Sequence, residues 1–87
     1  MTEETLLEFP CRFPIKIMAR AEVDMHPVVM EIVAPHVEEL TADDISMRPS
    51  KNGNYVAVTV TITATSKAQL DTIYQSLTDS EHVLMSL

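Results

Sequence analysis

Four cations stand at spacings that could do chemistry together. Arg12, Lys16 and Arg20 fall on even-numbered positions of an alternating run, where a strand would project all three from one side and Phe13, Ile15, Ile17 and Ala19 from the other. Arg48 joins them from a second alternating run, and Lys51 sits in the turn beyond it. The 13 carboxylates lie in the tail, the helices and the loops, so a chain of net charge -7 carries a locally basic surface. Guanidinium and ammonium groups hold carboxylates or phosphates through charge-assisted hydrogen bonds. Such a face could hold an anionic metabolite, an acidic partner or a second copy of the chain. The same cations also serve, more simply, to guard exposed strands against edge pairing.

Other chemistries lack their parts. His26, His36 and His82 lie on separate elements and no C-x-x-C is present, so metal-ligand spacing is missing. Cys11 is the only cysteine and reads as an inert thiol in a reducing compartment. It becomes a nucleophile candidate only if folding brings His82 beside it. The single glycine, Gly53, excludes the Gly-rich phosphate loops. An acylphosphatase-like anion cradle after the first strand is disfavoured by Glu22 and Asp24 in that segment. RNA-binding sheets stack bases on aromatics of their central strands, whereas here Tyr55 stands alone. We therefore expect no enzyme activity, no cofactor and no nucleic-acid partner; the negative charge also opposes binding to phosphate backbones and anionic membranes.

The elements that position these residues follow from periodicity. With 87 residues, 46% hydrophobic and 22% charged, the chain suits one globular domain over 10–87, preceded by a lead-in at 1–9 that Leu6, Leu7 and Phe9 would anchor. The acidic start lacks the pattern of a secretory signal, and no apolar run approaches a membrane span, so a cytoplasmic location is expected. A first strand runs over 12–20. Asp24 caps a helix that tolerates Pro27 in its first turn, buries Met25, Val28, Val29, Ile32 and Val33, and ends or kinks near Ala34 before Pro35. Residues 41–44 read as a loop.

The next stretch, 46–65, reads as a β-hairpin. Asn52-Gly53 predicts a type I′ turn with two positive-φ residues, pairing Ser50 with Tyr55, Pro49 with Val56, Arg48 with Ala57 and Met47 with Val58. Ile45, Met47, Pro49, Val56, Val58, Val60 and Ile62 then face the core; Ser46, Arg48, Ser50, Tyr55, Ala57, Thr59, Thr61 and Thr63 face away. Pro49, lacking an N–H, places the second strand at an edge. Ser66 and Gln69 form a capping box ahead of the stripe Leu70, Ile73, Tyr74 and Leu77. A last strand is expected over 82–87, with Val83, Met85 and Leu87 on one face. Met18, Met25, Met30 and Met47 read as core filler. The order β-α-β-β-α-β predicts an α+β, ferredoxin-like fold: a four-stranded antiparallel sheet with two helices on one face and the other face bare.

These motifs together resemble the YbeD-like family of small bacterial proteins, whose members carry at most a provisional label as lipoate regulatory proteins. The resemblance rests on Leu6-Leu7-Glu8-Phe9-Pro10, Phe13, Lys16-Ile17-Met18, Arg48-Pro49-Ser50, Gly53-Asn54-Tyr55, Val58-Thr59-Val60, Ser66, Gln69-Leu70, Ile73-Tyr74, Leu77 and 83–87. It implies a fold similar to ACT regulatory domains and a sensing or regulatory role, without established site residues. Ala19, where relatives can have glycine, and Lys51, in place of a second serine, depart from the pattern beside the expected open face. The expected function is a small regulatory or binding domain. Lys16, Arg20, Arg48, Ser50, Tyr55 and Thr59 form its ligand or partner face, for a small anionic ligand or a protein. The alternative is a homo-oligomerisation module, such as a homodimer, with no ligand.

Overall fold

The alternation that begins the chain builds strand β1 (Cys11–Arg20), in which Ile15, Ile17 and Ala19 are buried and every even-numbered residue is exposed. A computed structural model describes residues 8–87; the proposed anchors Leu6 and Leu7 lie outside the described residues, and Phe9 packs against the core. Asp24 then takes an extended conformation and its carboxylate accepts the His26 N–H at 3.4 Å, starting helix α1 (Met25–Val33). Pro35 ends it as expected: the chain continues only as one 3₁₀ turn, Ala34–His36.

Residues 41–44, expected to be a plain loop, instead hold a second 3₁₀ turn, Ala42–Asp44. It is closed by a reciprocal cap in which Asp44 Oδ2 accepts the Thr41 N–H at 3.1 Å. The T-x-x-D spacing is a capping-box pattern, so this turn was readable from the sequence.

Strands β2 (Ile45–Pro49) and β3 (Tyr55–Ala64) form the hairpin with the expected register, Pro49 opposite Val56, Arg48 opposite Ala57 and Met47 opposite Val58. The turn itself differs. Only Gly53 has a positive φ, at 79°, and the tight turn is closed by the Gly53 N–H to the Ser50 carbonyl at 3.0 Å. Ser50 Oγ accepts the Tyr55 N–H at 3.0 Å and donates to Asn52 Oδ1 at 3.1 Å. The side chains of Ser50 and Asn52 thus supply local bonds that a two-residue turn would not need. The number of residues between the strands is unchanged, so the register survives the change of turn.

Helix α2 (Lys67–Thr78) starts at Ser66, whose Oγ accepts the Gln69 N–H at 3.0 Å. Gln69 departs from the simple capping box: its Oε1 accepts the Thr65 N–H at 2.7 Å, and its Nε2 donates to the His36 carbonyl at 2.9 Å. One side chain therefore caps α2 and ties it to the turn after α1. The final strand β4 is shorter than expected, Met85–Ser86.

The sheet order is β2-β3-β1-β4, with every pairing antiparallel. Both helices contribute to the core on one side of the sheet, where Met25, Val29 and Val33 of α1 and Leu70, Ile73 and Leu77 of α2 meet Ile15, Ile17, Val58, Val60 and Ile62. This is the ferredoxin-like α+β fold. Burying each such aliphatic side chain contributes about 1.5–3 kcal/mol before the cost of ordering the chain. No polar or charged residue among those described is buried. No described helix is long and apolar enough to cross a membrane.

Three assignments to the core are corrected. Met47 and Pro49 lie on the helix side of the sheet yet are exposed, because β2 is an edge strand and the helical cover does not extend over its outer end. Met18 is 37% exposed, since it lies on the bare side of β1. Val83 packs on the core while Met85 pairs with Met18 on the other face; the strand starts only at Met85, so the alternation does not reach back to Val83. Of the expected core methionines, Met25 alone is fully buried and Met30 is partly so. Ala19 is also fully buried and faces the core, so this departure from the family pattern does not border the open face.

Candidate functional site: the open sheet face

None of the four strands contains an Asp or Glu, yet they carry four of the chain's six Lys and Arg residues. The register arranges them. Arg48, Ala57, Met18 and Met85 stand in one row across all four strands. Ser46, Thr59 and Lys16 form the next row, extended by Leu87, which exchanges two backbone hydrogen bonds with Lys16 at 2.7 and 3.1 Å. On the other side of the first row, Tyr55 pairs with Arg20 and is bonded to Ser50. All six residues expected to form the face, Lys16, Arg20, Arg48, Ser50, Tyr55 and Thr59, thus surround Ala57 on one side of the sheet. Ser50 is the least available of them, its hydroxyl being engaged in the hairpin turn.

The cations divide into two kinds. Arg12, counted with the basic face on sequence grounds, is neutralised: its guanidinium donates to Asp44 Oδ1 at 2.8 Å and to Thr63 Oγ1 at 3.0 Å. The Thr41 N–H and then the Arg12 guanidinium hold the Asp44 carboxyl below its ordinary value of 3.8. Lys16, Arg20 and Arg48 make no ion pair with any described residue.

Sequence reasoning missed the apolar part of this face. Met18, Met85 and Leu87 are 37%, 53% and 71% exposed and line its β1–β4 side, next to Lys16. Periodicity within the last segment could not reveal this, because the face of Met85 depends on its register against β1. Two hollows flank the sheet. One, of about 500 Å³, lies at the hairpin tip between Arg20, Glu22, Asn54 and Tyr55. The other, about 730 Å³, is a polar cleft at the opposite end of β1, lined by the Arg12–Asp44 pair, His36, Glu38, Glu39 and Gln69.

Cys11 and His82 are not brought together. Cys11 begins β1, whereas the segment after His82 bonds to Met18, roughly 20 Å or more along that strand. His82 lies instead 3.9 Å from its neighbour Glu81. No group of three or more potential metal ligands occurs among the described residues.

A ferredoxin-like domain with a bare, cation-bearing sheet face is the class that this geometry defines. The particular family is equally definite: residues 4–87 match the family described as "Protein of unknown function (DUF493)", and the chain belongs to it. It is 44% identical to the UPF0250 protein NE1487 of Nitrosomonas europaea over the whole of both chains. It is 45% identical to a UPF0250 protein of Chromobacterium violaceum, over 98% of this chain and 96% of the relative. These relatives support the resemblance to the YbeD-like family. The fold is similar to the solution structure of protein HP0495 from H. pylori, with a TM-score of 0.77 and 13% identity over 93% of this chain and 85% of that one. At that identity the likeness speaks for the fold alone.

Proposed function

We propose that the protein is a small regulatory or binding domain whose open sheet face engages an anionic ligand or a protein partner. The observation that carries this reading is the sorting of charge: a strongly acidic chain keeps Lys16, Arg20 and Arg48 unpaired among its described residues, on a face whose strands hold no carboxylate. Exposed cations on a scaffold of buried aliphatic residues can be spent on recognition, because their replacement leaves the core intact. Among the described residues Cys11 and His82, the nucleophile and base considered from the sequence, are held apart, which favours binding over catalysis. The exposed Met18, Met85 and Leu87 favour a second reading, self-association through the same face.

Amide NMR spectra titrated with carboxylate metabolites, lipoate included, and with acidic peptides test the first reading. Shifts are expected at Lys16, Arg20, Arg48, Ser50, Tyr55 and Thr59, and binding should weaken in Arg48→Ala and Lys16→Ala. Shifts confined to the helices or to the polar cleft would discard this face. Sedimentation over a range of concentrations tests the second.

A further inference from the structure

Resting on the binding-domain reading, we infer that the occupant of the open face is an acidic, amphipathic segment of another protein, whose carboxylates meet Lys16, Arg20 and Arg48 and whose apolar side chains cover Met18, Met85 and Leu87.

Three observations select this occupant. The face has both components side by side: Arg48 and Met85 stand in the same cross-strand row, Lys16 and Leu87 in the next, and Ala57 keeps the middle low. A ligand that satisfied the cations alone would leave the methionines and Leu87 in water. Shape supplies the second. Small molecules are held in concave sites, whereas the two hollows described above, lined by described residues, lie at the margins of the sheet and include neither Met85 nor Leu87. An extended two-component surface of this kind suits a helix laid across it with apolar residues at i, i+3 or i+4 and i+7 and carboxylates on its flanks.

The third observation is charge, and it weighs against a second copy of this chain. In an isologous dimer the same patch meets itself. Lys16, Arg20 and Arg48, unpaired among the described residues, would then meet a patch of their own sign with no strand carboxylate in it, which costs rather than stabilises. Docking this face on the helices of another copy supplies acids but little apolar surface. The large hydrophobic residues exposed among those described are Met18, Met47, Tyr55, Leu84, Met85 and Leu87, none of them in a helix. Nucleic acid matches the cations but not the apolar strip, and the chain's net charge of -7 repels it.

The test is unbiased selection from a displayed library of helical peptides of about sixteen residues, followed by affinity measurement on variants of the full chain. Enriched peptides are expected to combine Asp or Glu with a Leu, Ile, Met or Phe stripe and to shift the amides of β1 and β3. Binding should fall roughly tenfold or more in the double variant Lys16→Glu/Arg48→Glu, and roughly three- to tenfold in Met85→Ser. Lys51→Glu, in the hairpin turn, should change it little. Unchanged thermal melting in Met85→Ser confirms an intact fold; if that variant melts early, Leu87→Ser provides the same readout.

Peptides enriched in basic or uncharged residues, or no enrichment, overturn the inference. If carboxylate metabolites bind with Arg48 dependence while Met85→Ser and Leu87→Ser are silent, the face is a ligand site and only this inference fails. If nothing binds and sedimentation shows a dimer that Met85→Ser dissociates, the occupant is a second copy: this inference and the ligand-or-partner reading fall, and self-association stands. Preferential binding of a single-stranded oligonucleotide likewise overturns it.

Discussion

The two faces of the sheet are made from the same strands, residue by residue in alternation, and yet they do different work. On the covered face, Ile15, Ile17, Ala19, Val58, Val60 and Ile62 are almost completely buried beneath two helices. On the bare face, Lys16, Met18, Arg20 and Ala57 stand beside them in sequence and reach solvent. What distinguishes Ile17 from Met18 is therefore not chain position or strand propensity but the side of the pleat on which each falls. Stability is concentrated on one side, and the other reaches solvent.

The sharpest test of that division compares these neighbours. Ile17→Ala should cost about 2–5 kcal/mol through lost transfer energy and the cavity left behind. Met18→Ala should change stability by no more than about 0.5 kcal/mol. Denaturant titration measures both, and equal losses at the two positions would erase the distinction between the faces.

The hairpin turn joins two strands whose register sets the faces, and it can be stressed without touching either face. Gly53 has φ of 79°, and a Cβ there meets nothing within 4 Å. Gly53→Ala should therefore cost about 1–2 kcal/mol from backbone conformation alone. Gly53→Asn should recover part of it, since Asn tolerates that region better. Cross-strand contacts between Met47 and Val58, followed by NMR, should persist in both. Their loss would mean that the turn, rather than the burial of one face, holds the register.

The smallest effect concerns the border between the basic face and the polar cleft. The Thr41 N–H and the Arg12 guanidinium lower the Asp44 pKa below 3.8 in the folded protein. A depressed carboxylate stabilises the fold fully above its unfolded value and loses that contribution as pH falls through the lower folded-state value. The stability difference between wild type and Asp44→Asn should accordingly be greatest near neutral pH and shrink as pH falls below about 4. A constant difference across the acid range would show that the bonds to Asp44 contribute nothing through its charge.

Much of the fold was legible because it rests on local signals. Asp24 and Ser66 as caps, Pro35 as a stop, Pro49 as an edge marker and the hairpin register all follow from short-range geometry. The Thr41–Asp44 turn was equally local and was overlooked. Errors appeared where a residue's environment depended on distant chain. Met47 alternates correctly toward the helix side, but exposure there depends on how far the helices reach over an edge strand. Arg12 belongs by parity to the basic face, but its charge is met by Asp44, 32 residues away.

The sequence by itself determined that Lys16, Arg20, Arg48, Tyr55 and Thr59 share one side of a sheet, because period-two alternation and a hairpin register need only near neighbours. Tertiary structure decided which of the cations stay unpaired among the described residues, and it alone set Met85 and Leu87 beside Met18 and Lys16. Those placements come from docking the last strand against the first, a pairing of residues nearly 70 positions apart that no periodicity encodes. The open face is thus a basic surface by sequence, and an amphipathic one only by folding.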